Sequence, residues 1–531
     1  MRQEPQRSAA IVARPVFDLL QDAVARFPDR AAVDHAGRSL SYARLGALVN
    51  KAACGLQEMG VAKGTRVGLC LPNSLHFVVL YFAVLRAGGV VVNFNPLYVE
   101  RELHHQIEDS GTSIMVAADS PEVAKKVTSV LDTSSLRTII LCPMGEEAPV
   151  SGDDPRIVGF TSLLTYGEMP APVEVVPERD LAVLQYTGGT TGRPKGAMLT
   201  HANIWANAMQ LNRRIPEMEA VQDRLLGVLP LFHAFAMTAV MNLAVARGAE
   251  LILVARFDIE EVLALIEARR PTLFPGVPTL YTAINSAMEN RTADLSSIRF
   301  CISGGAPLPL DVLERFEGLT GCTLVEGYGL SEASPVVTCN PFTGPARPGS
   351  IGTALDDTII EVRDPADLSR VLPDGERGEL FVRGPQVMAG YWQRPDETHD
   401  TFIAGALRTG DIGYRDQDGF YFLVDRAKDL IICGGYNVYP RVIEEALYRH
   451  PAVLEAVVIG LPDPYRGQAP KAYVSLRTGA RATVEEIFAF LRTQISRIEM
   501  PKALEIRDAL PRTAVGKLSK ISLIEEEKTR R

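Results

Sequence analysis

The chain has no C-x-x-C pair, and its seven cysteines lie scattered between Cys54 and Cys433. An odd, unclustered set excludes a disulfide framework or a zinc ribbon and fits reduced thiols in a cytoplasm. Excess positive charge is also missing. The formal net charge is −9, so the chain does not build the basic field that nucleic acid requires. No repeat or low-complexity tract appears. The opening "MRQEPQRSAAIVARPVF" has no apolar h-region, so a secretory signal is not expected. Long hydrophobic runs are scarce. The best candidate, "LLGVLPLFHAFAMTAVMNLAVARG" (225–248), carries Pro230, His233 and Asn242 within its span. Unpaired polar groups are costly in lipid, so a loop followed by a buried helix is expected there. Two nucleophile and nucleotide motifs are absent too: no Gly-x-Ser-x-Gly elbow and no Gly-x4-Gly-Lys-[Ser/Thr] loop occurs.

What is present is globular material, 47% hydrophobic and 22% charged, in a chain of 531 residues that is too long for one core. The middle alternates strand and helix. "ELILVARF" reads as a strand; Asp258 caps the helix "IEEVLALIEARR", which Pro271 ends. "TLFPGV", "IRFCISGG" and "TLVEGYG" read as strands, with "PTLYTAINSAMEN" and "LPLDVLERFEG" as the helices between them. Such alternation predicts an α/β fold with doubly wound, mostly parallel sheets. Ligands bind such sheets at the carboxyl ends of the strands. "SGGAP" (303–307) and "EGYGLSE" (326–332) should therefore face one crevice. Past "VDRAKDLIICGG" the pattern restarts as a small α+β unit: helix "VIEEALYRH", strands "LEAVVIGL" and "KAYVSLR", helix "TVEEIFAFLRTQI". Two domains are expected, a large one over 1–427 and a small mobile one over 428–531, joined by a hinge.

Several motifs carry chemistry. "YTGGTTGRPKGAMLTH" (186–201) sets three glycines and three threonines in six residues, then Lys195 behind a proline. Bare N–H groups, hydroxyls and one ammonium suit polyphosphate oxygens, and a solvated turn is the alternative. "EGYGLSE" offers Tyr328 for stacking, Ser331 for a phosphate and Glu332 for Mg²⁺; taken alone it reads equally well as a turn with a surface glutamate. In "RTGDIGYRDQDGF", Asp411 suits ribose hydroxyls, whereas Asp416 and Asp418 shape a hairpin. His233 in "LPLFHAF" reads on its own as a half-buried histidine.

Taken in this order along the chain, these motifs, with "GELFVRGPQVMAGYW", "RTGDIGYRDQDGFYFLVDRAKDLIICGGYNVYP" and "PRTAVGKLSK", make the chain resemble the AMP-forming adenylate ligases. That superfamily includes acyl-CoA synthetases, peptide-synthetase adenylation domains and luciferases. The resemblance spans about Phe17 to Ile524 and is greatest to medium- and long-chain fatty acyl-CoA ligases. It implies an ATP-dependent enzyme that makes an acyl-adenylate and passes the acyl group to CoA, releasing AMP and pyrophosphate. An aryl-, dicarboxylate- or carrier-protein-loading ligase is the alternative. ATP, Mg²⁺ and CoA are implied, with a carboxylic acid as the remaining substrate. No nucleic acid and no integral membrane segment is implied; a peripheral membrane contact and a homodimer stay open.

The resemblance also distributes roles. Thr187, Gly188, Gly189, Thr190, Thr191, Gly192 and Lys195 would cradle the β- and γ-phosphates. Gly304, Gly305, Ala306, Glu326, Gly327, Tyr328, Gly329 and Ser331 would surround adenosine. Glu332 would bind Mg²⁺, and Asp411 with Arg426 would hold the ribose. Lys517 would reach the carboxylate and the α-phosphate. Gly434, Gly435 and Tyr436 would border the CoA tunnel, Lys428 would sit at the hinge, and His233 with Met237 would edge the acyl pocket. Three positions depart from the family: Ser331 replaces a common threonine, Met237 stands where some long-chain enzymes carry a gating tryptophan, and Val442 replaces a usual glutamate.

Overall fold

The runs "RVGLC", "IMVAA" and "TIILC" are apolar on both faces, as strands covered by helices on both sides must be. In the computed structural model they form the centre of a seven-stranded sheet. The structure describes residues 10–145, 154–187, 194–217, 222–344, 346–426, 429, 431–433, 436–513 and 518–530, without the side chains of 432, 436 and 437. The sheet order is Ile157–Gly159, Thr138–Cys142, Ile114–Ala118, Arg66–Cys70, Val90–Asn93, Leu181–Thr187, Lys195–Thr200. All neighbours are parallel except the last two strands, which form an antiparallel pair.

A second parallel set runs through Ala31–His35, Glu250–Leu253 and Arg224–Gly227. It continues through single bridges at Leu273 and Gly276 to Phe300–Ser303, which pairs with Thr323–Gly329. "TLFPGV" thus supplies bridges where a full strand was expected. Pro275 has no N–H, so the segment bonds one neighbour through Phe274 and Gly276 and cannot complete a ladder with the other. The helices match expectation closely. Asp258 accepts from Glu260 N and Glu261 N and starts Ile259–Arg269. Thr200 caps His201–Arg214 with a reciprocal Asn203 contact.

The stretch 225–248 resolves as the strand end Arg224–Gly227, a loop, and a buried helical run over 234–247. Among the described residues no helix is long and apolar enough to cross a membrane. Of the third sheet, only the hairpin at Asp416 and Asp418 was expected from the sequence, and Asp416 Oδ1 indeed accepts from Asp418 N and Phe420 N in that turn. Asp367–Val371, Ile359–Asp364, Gly378–Arg383, Ala406–Arg415 and Tyr421–Arg426 form an antiparallel meander, with Phe402–Ile403 at one edge.

The small C-terminal domain has its own core. Val453–Asp463 and Gly467–Leu476 form a long hairpin, Ala503–Arg507 joins in parallel, and the helices Pro440–Tyr448, Val484–Gln494 and Lys520–Thr529 pack on it. The large hydrophobic cluster runs from Val16 to Tyr421, whereas separate clusters draw on residues from Ile431 to Leu523. The architecture is therefore mixed α/β, a large N-terminal domain followed by a small one.

Candidate active site

The strand Leu181–Thr187 delivers Tyr186 and Thr187 to the carboxyl edge of the seven-stranded sheet. The chain returns as Lys195–Thr200, pairing Thr187 opposite Lys195 at the mouth of the hairpin. Gly196 packs closely on the facing strand: a Cβ there would lie 3.1 Å from the Tyr186 ring. Gly188, Gly189, Thr190, Thr191 and Gly192, between these strands, lie outside the described residues.

The adjacent parallel strands Phe300–Ser303 and Thr323–Gly329 pair Ser303 with Glu326, so Gly304, Gly305 and Ala306 emerge beside Gly327, Tyr328 and Gly329. A Cβ on Gly304 would sit 3.0 Å from the Phe235 ring, and Gly305 has φ +81°. Backbone and glycine are what the two strand ends present, as a close-fitting planar ligand needs.

Three side chains assigned to adenosine form one cluster. The Tyr328 hydroxyl donates to Asp411 Oδ2 at 2.6 Å, and Arg426 Nε donates to Asp411 Oδ1 at 2.7 Å. Asp411 and Arg426 are register partners on neighbouring strands of the meander. Burial and the Asp411 charge push the Tyr328 phenol well up, so it remains a neutral donor. Each carboxylate oxygen has further lone-pair capacity, so Asp411 can still accept from hydroxyls.

Glu326 is buried, and burial pushes its carboxyl up to about 7, against the opposing charge of Arg441 and a hydrogen bond from the Leu308 backbone. Arg441 belongs to the small domain's helix Pro440–Tyr448, so that domain reaches the nucleotide strands in this pose.

Glu332 follows in a short turn, Ser331–Ala333. Its Oε1 accepts from the Tyr391 hydroxyl at 2.8 Å, and the Lys195 ammonium lies 5.1 Å from the centre of the same tyrosine ring. Sequence reading quoted this tyrosine within "GPQVMAGYW" and gave it no role. A lone tyrosine after a glycine carries no signal of its own.

His233 caps the helical run over 234–247, its Nδ1 accepting from Phe235 N at 3.3 Å. A π-helical turn occupies Met237–Asn242. Its side-chain donors are engaged: Thr238 donates to Ser334 O at 2.6 Å and Asn242 Nδ2 to Tyr81 Oη at 3.0 Å. Buried Asn93 bridges to Gln185 at 2.9 Å and approaches Met237 S at 3.6 Å, placing Met237 beside the hairpin.

The AMP-binding enzyme family matches residues 20–392, and the AMP-binding enzyme C-terminal domain matches residues 442–517. The chain belongs to this family. The long-chain-fatty-acid–CoA ligase of Bacillus subtilis is 44% identical over 526 residues, covering 96% of this chain and 94% of its own. A feruloyl-CoA synthase of an Amycolatopsis species is 38% identical, over 93% and 95% of the two chains. The ATP-bound crystal structure of MatB from Rhodopseudomonas palustris superposes with a TM-score of 0.87 at 32% identity, over 97% of this chain and 99% of that one.

In this AMP-binding enzyme the donor set around Glu332 bears on the implied Mg²⁺. Among the described residues no group of three or more His, Cys, Asp or Glu side chains could hold a metal. One carboxylate, joined through Tyr391 to the neighbourhood of Lys195, nevertheless fits this ion, which keeps much of its water and draws its other ligands from substrate phosphates. Gly434, Gly435, Lys517 and Lys428 lie outside the described residues; Tyr436 opens the strand Tyr436–Val438, its side chain undescribed. Val442 follows buried Arg441 on the small domain's first helix, and nothing in the structure explains why it replaces the glutamate.

Proposed function

We propose that the acid activated by this ligase is a medium- or long-chain fatty acid. The enzyme is an AMP-forming acyl-CoA ligase. The acid carboxylate attacks the α-phosphorus of ATP and pyrophosphate leaves; the CoA thiolate then attacks the acyl carbonyl and AMP leaves. In the first step two anions must meet, so cations have to offset the charge developing on the α-phosphate and on the leaving pyrophosphate. Lys195 at the hairpin mouth and Lys517 from the small domain supply that charge from this chain. Bound at Glu332, Mg²⁺ adds positive charge against the phosphate oxygens. Asp411 and Arg426 orient the ribose, Tyr328 and the glycines of 304–305 and 327–329 enclose the adenine, and Gly434 to Tyr436 border the CoA tunnel. The small domain begins at 428. Seven free, buried cysteines support a cytoplasmic setting.

The acid assignment takes the buried run 232–247 as the wall of the acyl pocket. Phe232, Phe235, Met237, Ala239 and Val240 are apolar, and the only polar side chains of 235–246, Thr238 and Asn242, each bond to a protein partner. The first cation of that run, Arg247, is held by Asp223 at 2.7 Å. Past His233 at its start, this helix offers a second substrate carboxylate no free cation, which disfavours dicarboxylates. The likeness to a feruloyl-CoA synthase keeps aromatic acids in the test.

A screen of acid-dependent thioester formation decides between them. Each buried methylene should add about 0.8 kcal/mol, close to a fourfold gain in kcat/KM, until the pocket ends and activity drops sharply. Benzoate- or cinnamate-type acids outperforming octanoate and decanoate by a wide margin would overturn the fatty-acid reading.

A further inference from the structure

The segment 388–394 belongs to neither of the two nucleotide-binding strand ends, yet it touches parts of the site that come from distant stretches of chain. Met388 N donates to Glu332 O at 2.8 Å, fixing the backbone of the metal-binding glutamate. Ala389 N donates to Met198 O at 2.9 Å, Met198 N to Gly390 O at 2.9 Å, and Trp392 N to Gly196 O at 2.8 Å. The segment thus runs as an extra antiparallel partner along the returning strand of the phosphate hairpin, with Tyr391 opposite Ala197. Its far end is anchored on Asp109. Arg394 donates to Asp109 Oδ1 at 2.5 Å and Trp392 Nε1 to Asp109 O at 3.1 Å. The same Asp109 accepts from the Tyr186 hydroxyl through Oδ2 at 2.6 Å, near the mouth of the other hairpin strand. Both ends of the segment are therefore fixed to the body that carries the phosphate loop.

Between these anchors stands Tyr391, half-buried, with Thr398 Oγ1 accepting from its backbone N at 2.9 Å. Its hydroxyl meets Glu332 Oε1 and its ring meets the Lys195 ammonium. The phenol O–H is the only donor in this contact, since an ionised carboxylate only accepts. A carboxylate and an ammonium in the same pocket would otherwise attract each other. A direct pair would remove both charges from the substrate, whereas a ring set between them lets each hold a separate position.

We propose that Tyr391 is a positioning residue for adenylate formation, holding Glu332 toward the cation with its hydroxyl and Lys195 toward the polyphosphate with its ring face. The proposal rests on the assignment of Glu332 to Mg²⁺ and Lys195 to phosphate made above. It separates into two halves because the two contacts use different parts of one side chain. Tyr391→Phe removes the hydroxyl and keeps the ring; Tyr391→Leu removes both.

The test combines acid-dependent ATP–pyrophosphate exchange, run as a Mg²⁺ titration, with calorimetric binding of α,β-methylene-ATP at low and saturating Mg²⁺. Tyr391→Phe should raise the half-saturating Mg²⁺ about three- to tenfold, yet bind the analogue within twofold of the wild type at saturating Mg²⁺. Tyr391→Leu should add a loss of about fivefold or more in analogue binding that saturating Mg²⁺ does not restore. Glu332→Ala serves as the reference, and the double variant Tyr391→Phe/Glu332→Ala should need no more Mg²⁺ than Glu332→Ala alone. An unchanged Mg²⁺ requirement in Tyr391→Phe beside a raised one in Glu332→Ala overturns the role of Tyr391 and leaves the metal assignment standing. An unchanged requirement in Glu332→Ala overturns both. Equal losses of analogue binding at saturating Mg²⁺ in the Phe and Leu variants refute the ring's part. The conservative Phe variant keeps the test decisive even if the Leu variant folds poorly.

Discussion

A carboxyl group buried at a strand end is costly to ionise, and Glu326 is such a group. Its ordinary pKa of 4.5 is pushed up to about 7 by burial, while Arg441 pulls the other way. The sign follows from proton counting. Between about 4.5 and 7 the folded protein keeps a proton that the unfolded chain has released, so stability falls as pH rises through that window. Below it both states are protonated and the contribution is complete; above it the contribution is lost. Glu326→Gln keeps the shape and an acceptor for Leu308 N–H but cannot ionise. Its advantage over the wild type should therefore be near zero at pH 4.5 and grow to about 3 kcal/mol by pH 8, at 1.36 kcal/mol per pKa unit. Urea unfolding of the two proteins at pH 5 and pH 8 measures this. The same difference at both pH values would mean that the carboxylate is solvated or fully neutralised by Arg441.

Elements set which glycines the site can spare. Gly329 ends its strand where a Cβ would come within 2.0 Å of Pro335 O, a backbone atom that cannot swing away. Gly318, in the helix Leu310–Thr320, has open space around the same position. One chemical change should therefore have opposite signs. Gly329→Ala should destabilise the large domain by about 3 kcal/mol and weaken ATP binding, while Gly318→Ala should stabilise by about 0.4–1 kcal/mol. Differential scanning calorimetry with an ATP titration checks both, and a well-folded Gly329→Ala with normal ATP affinity would contradict the close approach. The same distinction marks what the sequence made legible. The Asp258 helix cap and the strand–helix alternation are local patterns, and they appear as expected. Of the meander over 359–426, only the hairpin at Asp416 and Asp418 carried a local turn signal; the other strands pair across intervening turns, with no helical period to mark them. Tyr328, Asp411 and Arg426 were each named from motifs, but their contact joins residues 83 positions apart in the chain. Arg441 beside Glu326 and Tyr391 beside Glu332 are likewise products of tertiary packing, which a linear motif does not encode.

At the scale of the whole molecule, two bodies with separate cores must serve two successive reactions. In this pose the small domain touches the large one through Arg441 near Glu326 and through Arg477, which donates to Asp311 at 2.5 Å. The Arg477–Asp311 pair is partly exposed on both sides, and such pairs contribute only about 0–1 kcal/mol. That pair does little to lock the domains; the firmer tie is at the strand Tyr421–Arg426, where Arg441 N donates to Asp425 Oδ2 at 2.9 Å. The reading taken from the family resemblance uses a rotation about Lys428 to present Lys517 for adenylation and Gly435 for thioester formation. Roughly eighty residues separate those two positions in a domain of about a hundred, which gives no reason to expect both at one crevice together. A lysine needed in only one pose makes a specific prediction. Lys517→Ala should lose acid-dependent ATP–pyrophosphate exchange by about a hundredfold or more, the size expected for removing a charge contact made in the transition state. Given synthetic acyl-adenylate and CoA, the same protein should form thioester at a near-normal rate, because that step no longer needs the lysine beside the α-phosphate. Equal loss of both half-reactions in a folded variant would sink the two-pose account, since one fixed arrangement would then be serving both steps.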